Sequence, residues 1–335
     1  MTIREQNEER EYRILSIHAA KSRDTKGRRV PEQECDIRTA YQRDRDRILH
    51  SKAFRRLKDK TQVFLAPQGD HYRTRLMHTL EVSQTARTIA KALELNEDLV
   101  EAIALGHDLG HTPFGHAGER ALNAICPLGF SHYQQSVRVT ELLERDGRGL
   151  NLTAEVLDGI LNHRTEGSPS TLEGNVVRLC DKISYIHHDM DDAMRAGIIS
   201  EDDIPITIRF ILGDTSKDRL NTLIHDIVEE SRGKDCILQS EEVGEAMRML
   251  RRLMFENVYR NPTAKGEEEK AIWMISRLYE HYLAHPDRMT REYQDLLEKD
   301  EPLERVVCDY ISGMTDQYSV SKFHEIFVPK SWSVY

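Results

Sequence analysis

The sequence predicts an all-α fold, and three observations carry that expectation. Glycine (18) and proline (10) are sparse in 335 residues. Apolar positions recur mainly at the 3.6-residue period of an amphipathic helix, with few period-2 runs. Turn-forming clusters fall between the periodic stretches: Pro67-Gln68-Gly69-Asp70, Gly110 to Pro113, Arg145 to Gly149, and Glu166-Gly167-Ser168-Pro169.

Taken in order, residues 1–36 read as mostly irregular, because SRDTKGRRVPEQE is polar and holds Gly27 and Pro31. Helices are expected at about 38–57, 73–95, 97–109, 115–125, 131–145, 153–164 and 173–197. The helical pattern resumes at about 217–230, 241–260, 266–284, 288–298 and 301–313. Ile204–Leu212 (IPITIRFIL) is the best strand candidate. The expected organisation is an irregular segment 1–36, a core 37–214, and a helical C-terminal region 215–335 packed on that core.

Composition excludes several classes. The net charge of −10 and a pI near 5.9 argue against a general nucleic-acid coat or a polybasic membrane binder. Mean hydropathy is −0.59, and the longest apolar stretch, around Leu99–Leu105, is broken by Glu101. The first residues, MTIREQNEER, lack the apolar run of a signal peptide. Five scattered cysteines (35, 126, 180, 236, 308), never in CxxC spacing, suit a reducing cytosol and exclude a disulfide framework or zinc ribbon. A cytoplasmic location is therefore expected. Charge is uneven: residues 38–75 hold eleven Lys/Arg against four Asp/Glu, a net of +7 that leaves −17 for the remainder. Such a segment suits an anionic ligand.

Nine of the 15 histidines lie between His71 and His188. That window reads RLMHTLEV (His78), ALGHDLGHTPFGHAGE (His107, Asp108, His111, His116, Glu119) and RLCDKISYIHHDMDDA (Asp181). Imidazole with carboxylate suits borderline divalent metals. Each of the four groups His78, His107, Asp108 and Asp181 has apolar neighbours, so each points toward a core. A buried charge there needs a partner or a metal. Arg75 and His78 are i, i+3 neighbours, as are His116 and Glu119, whose carboxylate can orient the imidazole if a helix begins near Gly115. Asp181, Tyr185, His188 and Asp189 share one helix face, with Lys182 at its edge. His163 reads as a core or capping histidine, and His187 as solvent-facing.

The longer strings RDRDRILHSKAFRRLKDKTQVF, DHYRTRLMHTLEVSQTARTIAKAL, NEDLVEAIALGHDLGHTPFGHAGE and VVRLCDKISYIHHDMDDAMRAG resemble the HD-domain metal-dependent phosphohydrolases. Within them they resemble the deoxynucleoside triphosphate triphosphohydrolases, the dGTPase-like branch. The likeness is concentrated in residues 36–200 and is weaker over 241–320. It implies an HD-domain helical fold with additional C-terminal helices. It also implies water attack at the α-phosphorus of a dNTP, giving deoxynucleoside and inorganic tripolyphosphate.

By that resemblance His78, His107, Asp108 and Asp181 match the ligands of a divalent metal (Mg, Mn, Co, Ni, Fe or Zn). His111, His116, Glu119 and His132 match catalytic positions beside it. Arg75 matches a triphosphate-contacting arginine. Lys182, Tyr185 and Asp189 match phosphate- and sugar-contacting positions, Gln62 a sugar-side contact, and Tyr259 the tyrosine that packs on the deoxyribose. In the closing segment Ser312–Phe323, Tyr318 is a further residue expected to approach the nucleotide. The basic segment 38–75 is assigned to the anionic nucleotide or to a neighbouring nucleotide site. Relatives imply a homo-oligomer (dimer, tetramer or hexamer), a regulatory dNTP at a subunit interface, weak single-stranded DNA binding as an accessory property, and no membrane partner. Two alternatives stand beside this reading. One is another HD phosphohydrolase, such as a nucleotidase or phosphodiesterase. The other is a nucleotide-sensing or single-stranded-DNA-binding protein with a vestigial HD site. No P-loop, GxSxG or GxGxxG motif competes.

Overall fold

The computed structural model describes residues 1–62, 73–259 and 262–330. Among these the chain is all-α, without a strand or sheet; two isolated bridges, Arg28 to Thr153 and Thr61 to Thr74, are the extended pairings. The expected turn at Pro67–Asp70 lies outside the described residues.

Helix starts follow side-chain chemistry. Asn96 accepts from the amides of Asp98 and Leu99 and so opens Glu97–Gly106. Thr171 accepts from Gly174 N and opens Leu172–Arg195. Such oxygens satisfy amides that have no intrahelical partner. The expected helix at 38–57 divides into Ala40–Leu49 and Lys52–Arg56, because Ser51 caps a new start. The 131–145 helix runs as His132–Arg138 and a wider turn, Val139–Leu143, before Arg145 and Asp146 take left-handed dihedrals.

One expectation gains an element and one is corrected. Within the mostly irregular residues 1–36, Ile3–Ile14 is a helix, opened by a reciprocal capping box between Thr2 and Glu5 and braced by the Arg4–Glu8 pair. Ile204–Leu212 holds no strand. Ile206–Leu212 is a helix that buries Ile208 and Leu212, four residues apart, and leaves Ile206 and Phe210 82% and 89% exposed. With no neighbouring strand among the described residues, extended backbone there would lack hydrogen-bond partners.

Two apolar cores organise the molecule. The first joins the helices Ala40–Leu49, Arg75–Ala92, Glu97–Gly106, Ala154–Leu161 and Leu172–Arg195 to Ile206–Leu212, Ser216–Ser231 and Glu241–Met254. The second packs Gly115–Ile125 against Pro262–Ala284, Arg291–Leu297 and Leu303–Ser312. Gly115–Ile125 thus belongs with the C-terminal helices, and residues 206–254 belong with the first core. Asp309, fully buried, ties the two cores by accepting from Arg138 Nε at 2.8 Å and Gln135 Nε2 at 2.8 Å.

The basic segment is largely spent inside the fold. Arg38 pairs with Asp46, Arg43 and Arg47 with Glu32, Arg45 with Asp98 and Glu101, Lys52 with Glu292, and Arg73 with Glu81, Asp191 and Asp192. Of this segment, Gln62 and Arg75 are the described residues that line the cavity below. Most of the described cations of this segment are thus paired within the fold, and Arg75 is the one among them that reaches the cavity.

Candidate active site

Three helices and one turn converge on a cavity of about 360 Å³. The Arg75–Ala92 helix supplies Arg75 and His78; Glu97–Gly106 runs into His107 and Asp108; Leu172–Arg195 supplies Asp181, Lys182 and Tyr185. The turn after Asp108 lies close against the His132–Arg138 helix, and a Cβ on Gly110 would stand 2.2 Å from Ser136 N. Phe114 and Gly115 both adopt positive φ (61° and 54°), which reverses the chain and aims His116 back at the cavity. A Cβ on Gly115 would stand 2.9 Å from Gln62 O and 3.1 Å from Arg75 Nη2. Asp316 accepts from Phe114 N and Thr61 N, both at 3.0 Å. Lys60 Nζ, fully buried, donates to His111 O and to Ser312 O. Burial, reinforced by Arg56 and Arg75, pushes the Lys60 ammonium down to about 7.

The donor set fits a divalent cation. His107 Nδ1 donates to Ala104 O at 2.7 Å, so Nε2 carries the lone pair. That Nε2 is buried without a hydrogen-bond partner and faces Asp108 Oδ1 at 3.5 Å and Asp181 Oδ1 at 3.7 Å. A lone pair held between two carboxylates is repelled unless a cation lies among them. His78 Nε2 is 3.0 Å from Asp181 Oδ1, and the ligand atoms of His78, His107 and Asp108 lie within 4.8 Å of one another. Arg75 Nη1 donates to Asp108 Oδ2 at 2.6 Å, which leaves Oδ1 toward the cluster.

A second cluster adjoins the first. Glu119 Oε1 accepts from His132 N and from His132 Nδ1, each at 2.8 Å, while Oε2 is 3.0 Å from His116 Nδ1. Burial opposes the Glu119 charge, but the bonds from His116 and His132 outweigh it and hold the carboxyl well below the usual range. Burial likewise opposes charge on His132; the bond to Glu119 wins, and its imidazole titrates higher than usual. His111 stacks on His132 with ring centres 4.2 Å apart.

The sugar- and phosphate-side expectations divide. Gln62, Arg75, Lys182 and Tyr185 line the cavity. Asp189 and Tyr259 do not: the Tyr259 hydroxyl donates to Asp189 Oδ2, and the Tyr259 ring stacks behind Tyr185 at 5.5 Å. Burial pushes the Asp189 carboxyl up to about 7 against the pull of the Tyr259 bond. Tyr318 stands outside, in a second cavity with Tyr293 and Tyr310. His187 is half-buried rather than solvent-facing. Sequence reasoning missed His163, Arg251, Tyr133, Arg164 and Glu166, all on the cavity wall. The string LNHR places His163 two residues past an apolar helix, which reads as a cap. Arg251 belongs to a helix whose pattern shows only that it is amphipathic.

Comparison with known proteins defines the class first. The HD domain family matches residues 75–186, and the phosphohydrolase-associated domain matches 237–325. The fold is shared with a phosphohydrolase from Bacteroides thetaiotaomicron (TM-score 0.54, 18% identity, 84% of this chain and 67% of that one). A deoxyguanosinetriphosphate triphosphohydrolase-like protein of Caldanaerobacter subterraneus subsp. tengcongensis is 56% identical over 99% of this chain and 98% of its own length. One from Clostridium perfringens is 49% identical over 98% and 99%. The chain belongs to this family of deoxyguanosinetriphosphate triphosphohydrolase-like HD-domain proteins, and it is a hydrolase whose HD domain implies a divalent metal. No helix among the described residues is long and apolar enough to cross a membrane.

Proposed function

We propose that the protein hydrolyses deoxynucleoside triphosphates to deoxynucleoside and inorganic tripolyphosphate, with a divalent ion held by His78, His107, Asp108 and Asp181. The observation that carries this is one cavity with three chemically distinct walls. A cation-seeking donor set forms the first wall. A histidine–glutamate cluster forms the second. The third is a basic and aromatic rim of Lys182, Arg251 and Tyr185, with Arg75 at the border of the donor set. The names of the relatives support a dGTP-type substrate.

The ion, when bound, supplies Lewis-acid polarisation of a phosphoryl oxygen. The residues of the chain do the rest. Arg75, Lys182 and Arg251 bind the triphosphate, and burial together with Arg178 and Arg251 lowers the Lys182 ammonium, a cost that an anion relieves. Tyr185, stiffened from behind by Tyr259 and Asp189, supplies a flat wall for the deoxyribose beside Gln62. A 2′-hydroxyl against such a wall finds neither room nor a partner. His116 donates Nδ1–H to Glu119 and turns Nε2 to the cavity. That nitrogen takes the proton of the attacking water as the new P–O bond forms at the α-phosphorus. The 5′-oxygen, on the opposite side of the phosphorus, takes a proton from solvent as the P–O5′ bond breaks, and the imidazolium returns its proton to solvent, so the step balances.

Incubation with each dNTP and added Mg2+, Mn2+, Co2+ or Zn2+, followed by ion chromatography, tests the reading. Tripolyphosphate and deoxynucleoside in equal amounts are expected. Deoxynucleoside monophosphate with pyrophosphate would overturn it.

A further inference from the structure

His163 bonds in a way that no capping or packing role requires. Its Nδ1 is 2.6 Å from Ile160 O, and its Nε2 is 3.3 Å from His132 Nε2. A carbonyl oxygen only accepts, so His163 Nδ1 carries the proton. An imidazole with its hydrogen on Nδ1 presents the lone pair at Nε2, so that nitrogen accepts. The hydrogen between the two rings therefore sits on His132 Nε2. His132 Nδ1 must also carry a hydrogen, because it faces the ionised Glu119 Oε1 at 2.8 Å. The polarity then runs without a break. Ile160 O accepts from His163; His163 accepts from His132; Glu119 accepts from His132 on one oxygen and from His116 on the other. His116 Nε2, on a ring that is half-exposed, stands at the end of the chain facing the cavity.

We infer that His163 is a positioning residue: as a hydrogen-bond acceptor for His132 it fixes the direction of this four-group chain and so the face that His116 turns to the reacting phosphate. Without the acceptor, the His132 ring is free to flip or to lose the Nε2 hydrogen, and Glu119 loses its fixed division between two imidazoles. The inference deepens the function proposed above and rests on it for the role of His116.

Three variants separate the acceptor from bulk. In His163→Gln the side-chain oxygen reaches the position of Nε2 and keeps the acceptor. In His163→Asn the amide reaches only the position of Nδ1, so it serves Ile160 O and not His132. In His163→Leu both are lost. Positioning groups behind a reacting shell typically carry about 10–100-fold in activity. We expect kcat for dNTP hydrolysis to fall by that factor in the Asn and Leu variants and to stay within about fivefold in Gln. KM and bound metal should be unchanged in all three. Wild-type kcat in His163→Leu would overturn the inference, as would loss of metal in step with activity, since His163 would then be a ligand. A second readout does not depend on substrate. In 15N-histidine-labelled protein loaded with diamagnetic Mg2+, NMR should show hydrogens on both His132 ring nitrogens and on Nδ1 alone of His163. An Nε2–H form of His163 would overturn the inference. If wild-type protein releases no tripolyphosphate, the proposed reaction fails, while the NMR and metal measurements still decide the chain.

Discussion

Replacing Gly115 by alanine tests the closure of the cavity most directly. Two costs add. At φ +54° an L-residue is strained by about 1–2 kcal/mol relative to glycine. The new Cβ also lies 2.9 Å from Gln62 O and 3.1 Å from Arg75 Nη2. The first contact is backbone and the second side chain is bonded to Asp108, so neither yields freely. Overpacking of this kind costs roughly 1–3 kcal/mol, so the expected destabilisation is about 2–5 kcal/mol. Gly27→Ala is the internal control: φ is +85°, yet nothing stands within 4 Å of its Cβ, so only the backbone term, about 1–2 kcal/mol, applies. Equilibrium urea unfolding of both variants isolates the steric part by difference. Steady-state dNTP hydrolysis shows where the pressure goes, because Gln62 and Arg75 both line the cavity. We expect kcat/KM to fall in Gly115→Ala and to hold in Gly27→Ala. Equal stability losses in the two variants, or full activity in Gly115→Ala, would refute the reasoning.

Further outcomes concern charge and metal. Glu173 Oε1 accepts from Ala20 N and Asn96 N, Oε2 is buried without a partner, and burial pushes the carboxyl up to about 7 from 4.5. A raised carboxyl stabilises the fold below pH 4.5 and loses that contribution as pH rises to about 7, here about 3 kcal/mol at 1.36 per unit. Wild type should therefore weaken against Glu173→Gln between pH 5 and pH 8 in urea titrations; a pH-independent gap would contradict this. His107→Ala and Asp181→Ala should each lose bound metal, by elemental analysis, together with activity; both variants retaining metal would remove them from the ligand set. Arg251→Ala should raise KM for dNTP about tenfold, the worth of one charge-assisted bond, with little change in kcat. An unchanged KM would take Arg251 off the phosphate wall.

The helical class was legible because amphipathic periodicity reports directly on which face is buried. The boundaries of Gly115–Ile125 follow from Pro113, Gly115 and the apolar face after them. Ile206–Leu212 misled because its apolar residues alternate at both periods, and the absence of a partner strand is a tertiary fact. The Ile3–Ile14 helix was readable from Thr2 and Glu5, a local signal hidden beneath a polar composition. At the site, dense clusters were readable and isolated groups were not. His107 and Asp108 announce themselves together. His163 does not, because its partner His132 is 31 residues away and only folding joins them. Charge counting over residues 38–75 overstated the cations left unpaired for a similar reason: a sequence records cations but not the carboxylates that meet them.

The contacts of Lys60 and Asp316 bear on how such a protein can be cut and recombined. All four proposed metal-holding side chains lie within residues 75–186, the stretch matched by the HD domain family. The turn that aims His116, however, is fastened from residue 316, and the segment bearing Gln62 is fastened by the same carboxylate. The metal-holding helices alone are thus not a portable catalyst. Transplanted without the C-terminal helices, they would keep a place for the ion and lose the geometry around it. Chain length after residue 200 is in this sense part of the active site.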